Sequence, residues 1–361
     1  MPARRASPNG KVVAVTGASG YLAGGLVRAL CADDAVDSVV GFDVRPSEFD
    51  HPKFVFDQMD VRNTAIEKRL HAVDMLVHLA FIMDPIKDES LMRDVNVNGS
   101  QNIFRSAGNA GVAKIVYTSS AVVYGAHSDN PVPLTEDAPL RANLDFSYAA
   151  HKLEVEYVVR EFRDEFPDVT FTVLRPAIVF GGHADSAWSH LLEIPLFIGV
   201  KGHSPSFQFL HEEDVAAALL FAVGNDLNGA FNLAPSDWMA GEAILAAAGR
   251  RRFDLPEAAA FSAVERLWDL GLSDAPAGMM HYAMHPWLVS PDKLAAAGFI
   301  CSHTTTEALD DLLEQIAGYT RIGTKRVSTG GMIRGATAGA SVLGAALVWR
   351  AARRRRTPAR W

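Results

Sequence analysis

The regular pattern of this chain begins at residues 11–24, which read Lys-Val-Val-Ala-Val-Thr-Gly-Ala-Ser-Gly-Tyr-Leu-Ala-Gly. An apolar run over 11–16 ends in glycine, and apolar residues then recur at helical spacing from Tyr21 to Leu30. This pattern predicts a strand, a tight turn and a helix. A helix that starts directly after a glycine turn leaves its first backbone N–H groups free, so this turn can hold an anion such as a phosphate.

The same alternation continues to about residue 180. Parallel strands need crossover connections, so strands separated by helical stretches predict a parallel sheet with helices on both faces. The predicted strands are 11–16, 38–42, 53–56, 74–79, 114–118 and 170–174. The predicted helices are 21–30, 63–70, 89–110, 148–166 and, in the second half, 212–223. We therefore predict an α/β protein, a Rossmann-type doubly wound parallel sheet with a smaller C-terminal α/β lobe.

The glycine turn fits the pyrophosphate of a dinucleotide, and a purely structural turn is the alternative. Gly17 permits the turn, and Gly20 permits close approach of a phosphate. Asp43 follows the second predicted strand, where a carboxylate accepts hydrogen bonds from the ribose hydroxyls and repels a 2′-phosphate. The predicted cofactor is therefore NAD, and NADP is the less favoured choice, although Arg45 leaves some room for a phosphate.

Asp60 and Val61 follow the third predicted strand. A carboxylate at this place can accept from the adenine amino group. The alternative is that Asp60 caps the helix predicted over 63–70.

Four domain boundaries follow from the pattern. Prolines and glycines interrupt it after about residue 180, and ligands of open α/β sheets bind at the carboxyl ends of the strands, which a second lobe can cover. We predict a disordered N-terminus at 1–10, an NAD(P)-binding Rossmann domain at 11–180, a substrate-binding lobe at 181–320 that is interleaved with the sheet, and a basic, partly apolar tail at 321–361.

Tyr148 and Lys152 are four residues apart and therefore share one face of a predicted helix. A phenol titrates near ~10 in water, and a fixed cation beside it lowers that pKa by stabilising the phenolate. Oxidation of an alcohol or reduction of a carbonyl needs such a group. Ser120, at the end of the fifth predicted strand, adds a hydroxyl that can bind the reacting oxygen.

Taken together, the motifs resemble those of the extended short-chain dehydrogenase/reductases, the NAD-dependent epimerase/dehydratase family. The motifs that carry the resemblance are Thr16 to Ala23, Asp43, His78-Leu79-Ala80, Asn96 to Ser100, Thr118 to Gly125, Tyr148 to Lys152, Leu174-Arg175-Pro176 and His211 to Val215. The resemblance implies that Ser120 orients the substrate oxygen, that Tyr148 is the general acid/base, and that Lys152 lowers the tyrosine pKa and holds the nicotinamide ribose. It also implies hydride transfer at nicotinamide C4. The cofactor-binding residues that it implies are Gly17, Gly20, Tyr21, Leu22, Asp43, Asp60, Val61, Leu79, Ala80, Asn96, Tyr148, Lys152 and Pro176.

Three departures from the family pattern bear on the substrate. Ala121 and Val122 stand where the family's dehydratases carry an acidic pair, so dehydration is disfavoured. Phe207 stands where sugar-nucleotide epimerases of the family carry an arginine near the substrate diphosphate. The Leu-Arg-Pro form at 174–176 resembles the reductase and hydroxysteroid branches. We therefore predict an oxidoreductase acting on a secondary alcohol or ketone, with a lipophilic, sterol-like or isoprenoid substrate.

Two alternatives remain open. The first is a UDP-sugar 4-epimerase that retains NAD and reoxidises it within one turnover; Lys201 and Arg250 to Arg252 are then the candidate phosphate ligands. The second is a non-catalytic NAD-binding sensor or scaffold. The presence of all three candidate catalytic residues, Ser120, Tyr148 and Lys152, argues against it. The resemblance also allows the homodimer that is common in the family.

Charge and cysteine content exclude several other classes. The net charge is −8, yet ten basic residues and no acid lie between Arg321 and the C-terminus, so the rest of the chain is strongly acidic. An acidic body of this kind is not typical of a nucleic-acid-binding protein. Two cysteines in 361 residues point to a reducing compartment, and 1–10 lacks the apolar core of a signal peptide, so we predict a cytoplasmic body.

Histidines do not predict a metal site. His281 and His285 are four apart, but no glutamate follows His281 and no third ligand is evident. His211 and Asp214 are predicted to tie the lobe to the sheet by hydrogen bonds.

The tail contains fifteen uncharged residues, Gly335 to Trp349, with basic residues on both sides. As a helix this segment is ~22 Å long, shorter than the ~30 Å hydrocarbon core of a bilayer. A span would also export the arginines at 350–360, against the positive-inside bias. We therefore predict peripheral contact with the inner face of an anionic membrane, and a true span and a disordered tail are the alternatives.

Overall fold

The computed structural model describes residues 10–328, and the predictions for 1–9 and for the tail from 329 lie outside these residues. Seven parallel strands form the central sheet in the order β11-β6-β5-β4-β1-β2-β3. They are β1 (Lys11–Thr16), β2 (Val36–Asp43), β3 (Phe54–Gln58), β4 (Met75–His78), β5 (Lys114–Thr118), β6 (Thr170–Pro176) and β11 (Gly229–Leu233). The predicted doubly wound parallel sheet is confirmed.

Helices cover both faces of this sheet. On one face α1 (Tyr21–Ala32) packs against α7 (Glu212–Gly224), and on the other α2 (Ile66–Leu70), α4 (Gly99–Ala110) and α5 (Ser147–Glu165) pack together. Because side chains alternate along a strand, Val13 and Val15 enter the first core while Ala14 enters the second. Parallel strands covered on both sides therefore need the continuous apolar run seen in the sequence.

The helix predicted over 89–110 is divided into three parts. It starts as α3 (Glu89–Arg93), passes through a π-helical turn at Asp94–Asn98 and continues as α4. Apolar spacing does not reveal such a turn, because a π-helical turn adds a single residue to the helix and leaves the sequence pattern on either side intact.

The second half forms the smaller lobe and also completes the sheet, since β11 pairs with β6. The lobe contains a core of six buried residues from Val200 to Met284. Its strands are β7 (Ile178–Phe180), β8 (Leu196–Val200), β9 (Ser206–Phe207), β10 (Phe209–His211), β12 (Met239–Ala240) and β13 (Arg251–Leu255). Its helices are α6 (Ala187–Glu193), α8 (Gly241–Ala247), α9 (Glu257–Asp269), α10 (Asp292–Ala296) and α11 (Thr305–Ile316), with a 3₁₀ segment at Ala277–Ala283.

The boundary predicted at residue 321 falls inside an antiparallel hairpin made of β14 (Tyr319–Ile322) and β15 (Lys325–Ser328). Arg321, which we assigned to the tail, is 9% exposed and its Nη1 lies 2.9 Å from Oδ2 of Asp274. Residues 321–328 therefore belong to the folded lobe. Among residues 10–328, no helix is both long enough and apolar enough to cross a membrane.

Candidate active site

The turn between β1 and α1 is built around Gly17. Its φ is +71°, and an added Cβ would lie 2.7 Å from the backbone nitrogen of Ala80, so this position requires glycine. Gly20 precedes α1 as its N-cap, with no capping side chain and no acidic residue in the first helical turn. The N–H groups of this helix end therefore face the turn without a competing anion.

Asp43 lies beside this turn at the end of β2. Its Oδ2 accepts a hydrogen bond of 3.1 Å from the backbone N–H of Ser19, and its Oδ1 accepts one of 2.9 Å from that of Arg45. The exposed Arg45 guanidinium lies 3.7 Å from the same carboxylate. The structure thus brings Asp43 next to Gly17 and Gly20, as the sequence predicts.

Asp60 forms an ion pair with Arg62. The Arg62 side chain donates to both carboxylate oxygens of Asp60, at 3.0 and 2.6 Å, and also reaches Asp94 at 2.8 Å. The hydrogen bonds from Arg62 lower the pKa of Asp60. Because α2 begins only at Ile66, with Ala65 as its N-cap, the alternative role of Asp60 as a helix cap is wrong.

His78 links three elements at the centre of the sheet. Its Nδ1 lies 2.7 Å from the hydroxyl of Thr16 on β1, and its Nε2 lies 2.9 Å from that of Ser100 on α4. Complete burial lowers its pKa to about 3, so the ring is neutral. The hydroxyl of Thr16 also accepts, at 3.4 Å, from the backbone N–H of Ala80. His78 therefore holds the segment Leu79-Ala80 against the glycine turn.

Asn96 lies in the π-helical turn and is fully buried. Its side-chain oxygen accepts from the backbone N–H of Ile82 at 2.7 Å, and its amide nitrogen donates to the carbonyl of Ile82 at 3.0 Å. Asn96 thus fixes the loop after β4 and does not line the pocket described below. Val61 is buried and packs so closely on Gly99 that a Cβ there would lie 2.7 Å from it.

Ser120 and Tyr148 meet at the carboxyl edge of the sheet. Ser120 ends the segment after β5, where its hydroxyl accepts from the backbone N–H of Val122 at 3.3 Å. Tyr148 lies in the first turn of α5 and packs edge-on against Phe81 at 5.8 Å. Burial raises the pKa of Tyr148 to about 12, although its hydrogen bond with Ser120 lowers it.

Lys152 lies one turn further along α5 and is 3% exposed. Its Nζ donates to the carbonyl of Thr118 at 2.7 Å and lies 3.6 Å from the ring centroid of Phe81. Burial lowers its pKa to about 7. Desolvation outweighs the lowering by Ser120 on the Tyr148 phenol, and the lowering of the Tyr148 pKa by Lys152 stays a prediction.

A buried ion pair that the sequence patterns did not identify supports this edge. Arg175 donates to both oxygens of Glu156 at 2.9 Å, and Ser119 donates to Glu156 at 2.7 Å. Arg175 also donates to the phenol of Tyr124 at 2.7 Å. The signal was present, since Glu156 is one helical turn beyond Lys152 and Arg175 belongs to the Leu-Arg-Pro motif.

A pocket of about 100 Å³ collects these groups at the carboxyl edge. The hydroxyl of Thr118 is buried there without a hydrogen-bond partner among residues 10–328. Tyr21, whose hydroxyl donates to Glu212, also lines the pocket. The predicted site residues that line it are Tyr21, Leu22, Leu79, Ser120, Tyr148, Lys152 and Pro176. The predicted residues outside its lining are Gly17, Gly20, Asp43, Asp60, Val61, Ala80 and Asn96.

A second and larger cavity of about 320 Å³ adjoins this pocket inside the lobe, and we call it the chamber. Ile178, Ala187 and Trp188 line both cavities and so form the wall between them. Phe207, the residue that departs from the family's arginine, lines the chamber. Five of the 31 residues around it are polar, and the rest are apolar or glycine.

The cations of the chamber wall are already bound to acids. Arg252 lies 2.5 Å from Asp254, and Arg321 lies 2.9 Å from Asp274. His190 lies between Asp185 and Asp274, at 2.6 and 2.9 Å. The Arg250 Nε, another candidate phosphate ligand, donates to the backbone carbonyl of Leu192 at 2.6 Å. These contacts leave the chamber without an unpaired cation among the described residues that line it.

His211, Glu213 and His303 group their side chains within metal-binding distance of one another. The Nδ1 of His211 accepts from the backbone N–H of Glu213, so its proton resides on Nε2, which lies 3.0 Å from Asp311. Asp214 binds Ser302 and His303. This arrangement favours hydrogen bonding at the base of α7 over coordination of a metal.

Residues 13–234 of the chain match the model of the NAD dependent epimerase/dehydratase family. An uncharacterized protein of Mycobacterium tuberculosis (strain ATCC 25618 / H37Rv) is 31% identical over 234 residues, which are 62% of each chain. The N-acetyl-alpha-D-glucosaminyl-diphospho-ditrans,octacis-undecaprenol 4-epimerase of Escherichia coli O157:H7 is 31% identical over 172 residues, 47% of this chain and 49% of that protein. The matches thus span less than two thirds of these relatives.

Solved structures share the fold. The UDP-glucuronic acid 4-epimerase of Bacillus cereus, solved with NAD, superposes with a TM-score of 0.65 at 17% identity, covering 84% of this chain and 98% of that one. The UDP-glucose 4-epimerase of Thermus thermophilus, also with NAD, gives a TM-score of 0.65 at 20% identity, covering 85% and 99%.

Proposed function

Because the chain belongs to the NAD dependent epimerase/dehydratase family, we propose that it transfers a hydride between NAD and a secondary alcohol or ketone on a lipophilic substrate. Membership of the family supports the coarser statement, an NAD-dependent enzyme of the oxidoreductase or epimerase type. The lipophilic substrate is our proposal, and sterol-like or isoprenoid alcohols are the class that we favour.

The observation that carries the proposal is the chamber, which adjoins the pocket that Tyr148 lines. An apolar cavity of about 320 Å³ offers an apolar molecule the burial that drives its binding. Ile178, Ala187 and Trp188 border both the pocket and the chamber, and we propose that a substrate extends past these side chains from one into the other. A diphosphate inside the chamber would lie beside Arg252 and Arg321, which are already paired with carboxylates, so these two cations favour an apolar occupant over a diphosphate.

The residues around the glycine turn fit NAD. The open N-terminus of α1 suits a pyrophosphate, and Gly17 and Gly20 allow its close approach. Asp43 is held by two backbone N–H groups, where its outer lone pairs can accept from ribose hydroxyls. The unpartnered hydroxyl of Thr118 offers a further contact at the pocket. When bound, NAD supplies the hydride acceptor or donor at nicotinamide C4.

We assign the proton transfer to Tyr148 and the orientation of the substrate oxygen to Ser120. With a pKa of about 12, the phenol of Tyr148 holds its proton at neutral pH. It can therefore donate that proton to a carbonyl oxygen as the hydride arrives, which is the proton transfer that ketone reduction requires. In the opposite direction, the charged Lys152 ammonium is proposed to stabilise the phenolate and to hold the nicotinamide ribose.

A ketone series tests this function. The substrates are methyl ketones of increasing alkyl length, and their reduction is measured by the absorbance of NADH. The value of kcat/KM should rise about fourfold for each methylene that is buried, until the chamber is full. Phe207→Arg puts a cation into the chamber and should abolish this rise while short ketones still react. Tyr148→Phe should lose turnover with every ketone and still bind NADH. A flat length series, or turnover in Tyr148→Phe, contradicts the proposal.

A nucleotide-sugar or lipid-linked-sugar 4-epimerase is the second candidate. It is favoured by the likeness to the Escherichia coli epimerase, whose named substrate joins a sugar diphosphate to a polyprenyl chain, and by the epimerase structures. An epimerase reoxidises its cofactor, so the heat-denatured protein should release stoichiometric NAD, as measured by mass spectrometry. Interconversion of UDP-glucose and UDP-galactose without added cofactor then supports this candidate over the first.

Peripheral membrane contact, a cytoplasmic body and a homodimer remain proposals. The tail that motivates membrane contact lies outside residues 10–328. Cys31 and Cys301 are both free thiols in the structure, which is the state that a reducing compartment maintains.

A further inference from the structure

We propose that the mouth of the chamber docks on an anionic membrane surface, so that an apolar substrate enters from the bilayer. Four apolar side chains, which we call the rim, are strongly exposed at this mouth: Leu196 (50%), Leu270 (72%), Leu272 (50%) and Ile322 (57%). Leu196 and Leu272 also line the chamber, so the cavity opens where the rim is exposed.

Two contacts hold together the three chain segments that carry the rim residues. An added Cβ on Gly323 would lie 3.4 Å from Cδ2 of Leu272, so the β14–β15 hairpin touches the loop after α9. The hydroxyl of Thr320 donates to the carbonyl of Glu193 at 3.0 Å, which holds the hairpin against the end of α6, three residues before Leu196. The rim is therefore one surface built by folding.

Exposed apolar side chains that cluster around a cavity mark an interaction surface more strongly than the same residues scattered singly. The surface that binds the rim must therefore present apolar groups to these four side chains. A substrate of the proposed class partitions into bilayers and is scarce in water, so a mouth placed at the interface receives it without passage through solvent.

Charge near the rim matches anionic lipid. Arg251, Lys325 and Arg326 are basic and lie on the strands beside the rim. Three acids near the rim are paired with cations: Asp269 with Lys87, Asp274 with Arg321, and Glu193 with Arg326 at 3.1 Å, so Arg251 and Lys325 are the two of these basic residues that remain for lipid. Basic residues at an interface attract the negative surface of a membrane.

The chain leaves the described region at the same place. After Ser328, at the end of the hairpin, it continues for 33 residues that contain seven arginines and no acid. The uncharged stretch from Gly335 to Trp349 lies within them. A segment of this composition, attached beside the rim, adds a second attraction to the same surface, and stable membrane binding generally needs two such signals.

The docking proposal rests on the proposed function, because docking serves a purpose only if the substrate is apolar. Membrane binding itself can be tested without catalysis. The full-length protein is mixed with sucrose-loaded vesicles of phosphatidylcholine, with or without about one third phosphatidylglycerol, and the bound fraction is measured by sedimentation. The wild type should bind the anionic vesicles, and high salt should weaken this binding. Leu270→Glu/Ile322→Glu should bind about tenfold more weakly, because it removes apolar contact and adds negative charge at the rim.

A control is Ile300→Glu, which adds half the charge of the rim variant at an apolar side chain that is 77% exposed and lies outside the rim. It should bind as the wild type does. Circular dichroism shows whether the glutamate variant folds. If it does not, the double variant Leu270→Asn/Ile322→Thr, which adds no charge, replaces it in the vesicle assay. Failure of the wild type to bind, equal binding by the rim variants, or equal weakening by Ile300→Glu overturns the proposal. A negative ketone screen alongside normal vesicle binding rejects the proposed function alone.

Discussion

Arg175 and Glu156 form a two-pronged ion pair in the interior, with Nε–Oε1 and Nη2–Oε2 distances of 2.9 Å and 6% exposure of each side chain. The pair ties β6 to α5, the helix that carries Tyr148 and Lys152. Through Ser119, which donates to the same carboxylate, it also holds the segment that carries Ser120. The ion pair therefore positions the candidate site without touching a substrate.

Glu156→Gln should destabilise the protein by about 3–5 kcal/mol, because it leaves the Arg175 guanidinium buried without a countercharge. Urea unfolding followed by circular dichroism measures the change. Glu154→Gln is the control on the same helix, since the Glu154–Arg93 pair is 38% and 50% exposed and should contribute at most about 1 kcal/mol. Similar losses in the two variants would show that burial of the Arg175–Glu156 pair is unimportant.

The depressed pKa of Lys152 predicts a pH-dependent stability. The side chain has a pKa of about 7 when folded and near 10.5 when unfolded, so between these values the unfolded chain binds the extra proton. Stability should therefore rise with pH in this window, by about 2 kcal/mol between pH 7 and 9. Lys152→Met lacks this contribution and should also melt at a higher temperature than the wild type at pH 7.

The measurement is the free energy of unfolding of both proteins at several pH values, since other titrating groups cancel in the difference. The difference between Lys152→Met and the wild type should shrink as pH rises from 7. A constant difference would mean that Lys152 keeps its ordinary pKa in the folded state.

Gly17→Ala should impair both stability and dinucleotide binding. The φ of +71° and the 2.7 Å approach to Ala80 force the backbone to move, which costs about 1–3 kcal/mol. The affinity for NAD, measured by fluorescence titration, should fall at least tenfold. Gly224→Ala, where an added Cβ meets nothing within 4 Å, should leave both properties near the wild-type values.

Asp43→Asn should weaken the preference for NAD over NADP. The amide loses the charge that repels a 2′-phosphate, and the exposed Arg45, 3.7 Å from the carboxylate, becomes free to bind one. We expect the ratio of the NADP and NAD dissociation constants to fall about tenfold or more. Asp37→Asn, on the same strand, should not change this ratio, and an unchanged ratio in Asp43→Asn would remove Asp43 from cofactor selection.

Much of the fold was predictable because its signals are local. The strand 114–118 has the predicted bounds, and the turn at Gly17 and the helix with Tyr148 lie where the pattern indicates. The π-helical turn at 94–98 was not predictable, because it depends on the bonds of Asn96 to the backbone of Ile82, 14 residues away. The inclusion of 321–328 in the lobe likewise depends on the burial of Arg321 beside Asp274.

The spacing of glycines and apolar runs was sufficient for the sheet and the cofactor class, and the Tyr148–Lys152 pair led to the chemistry that we propose at the reacting oxygen. These features depend on backbone conformation and on residues within one or two helical turns of one another. The chamber, its paired cations, the desolvation that sets the Lys152 and Tyr148 pKa values and the exposed rim depend on contacts between segments far apart in the sequence, such as Glu193 with Arg321. Such contacts arise from packing of the whole chain, and no local pattern encodes them.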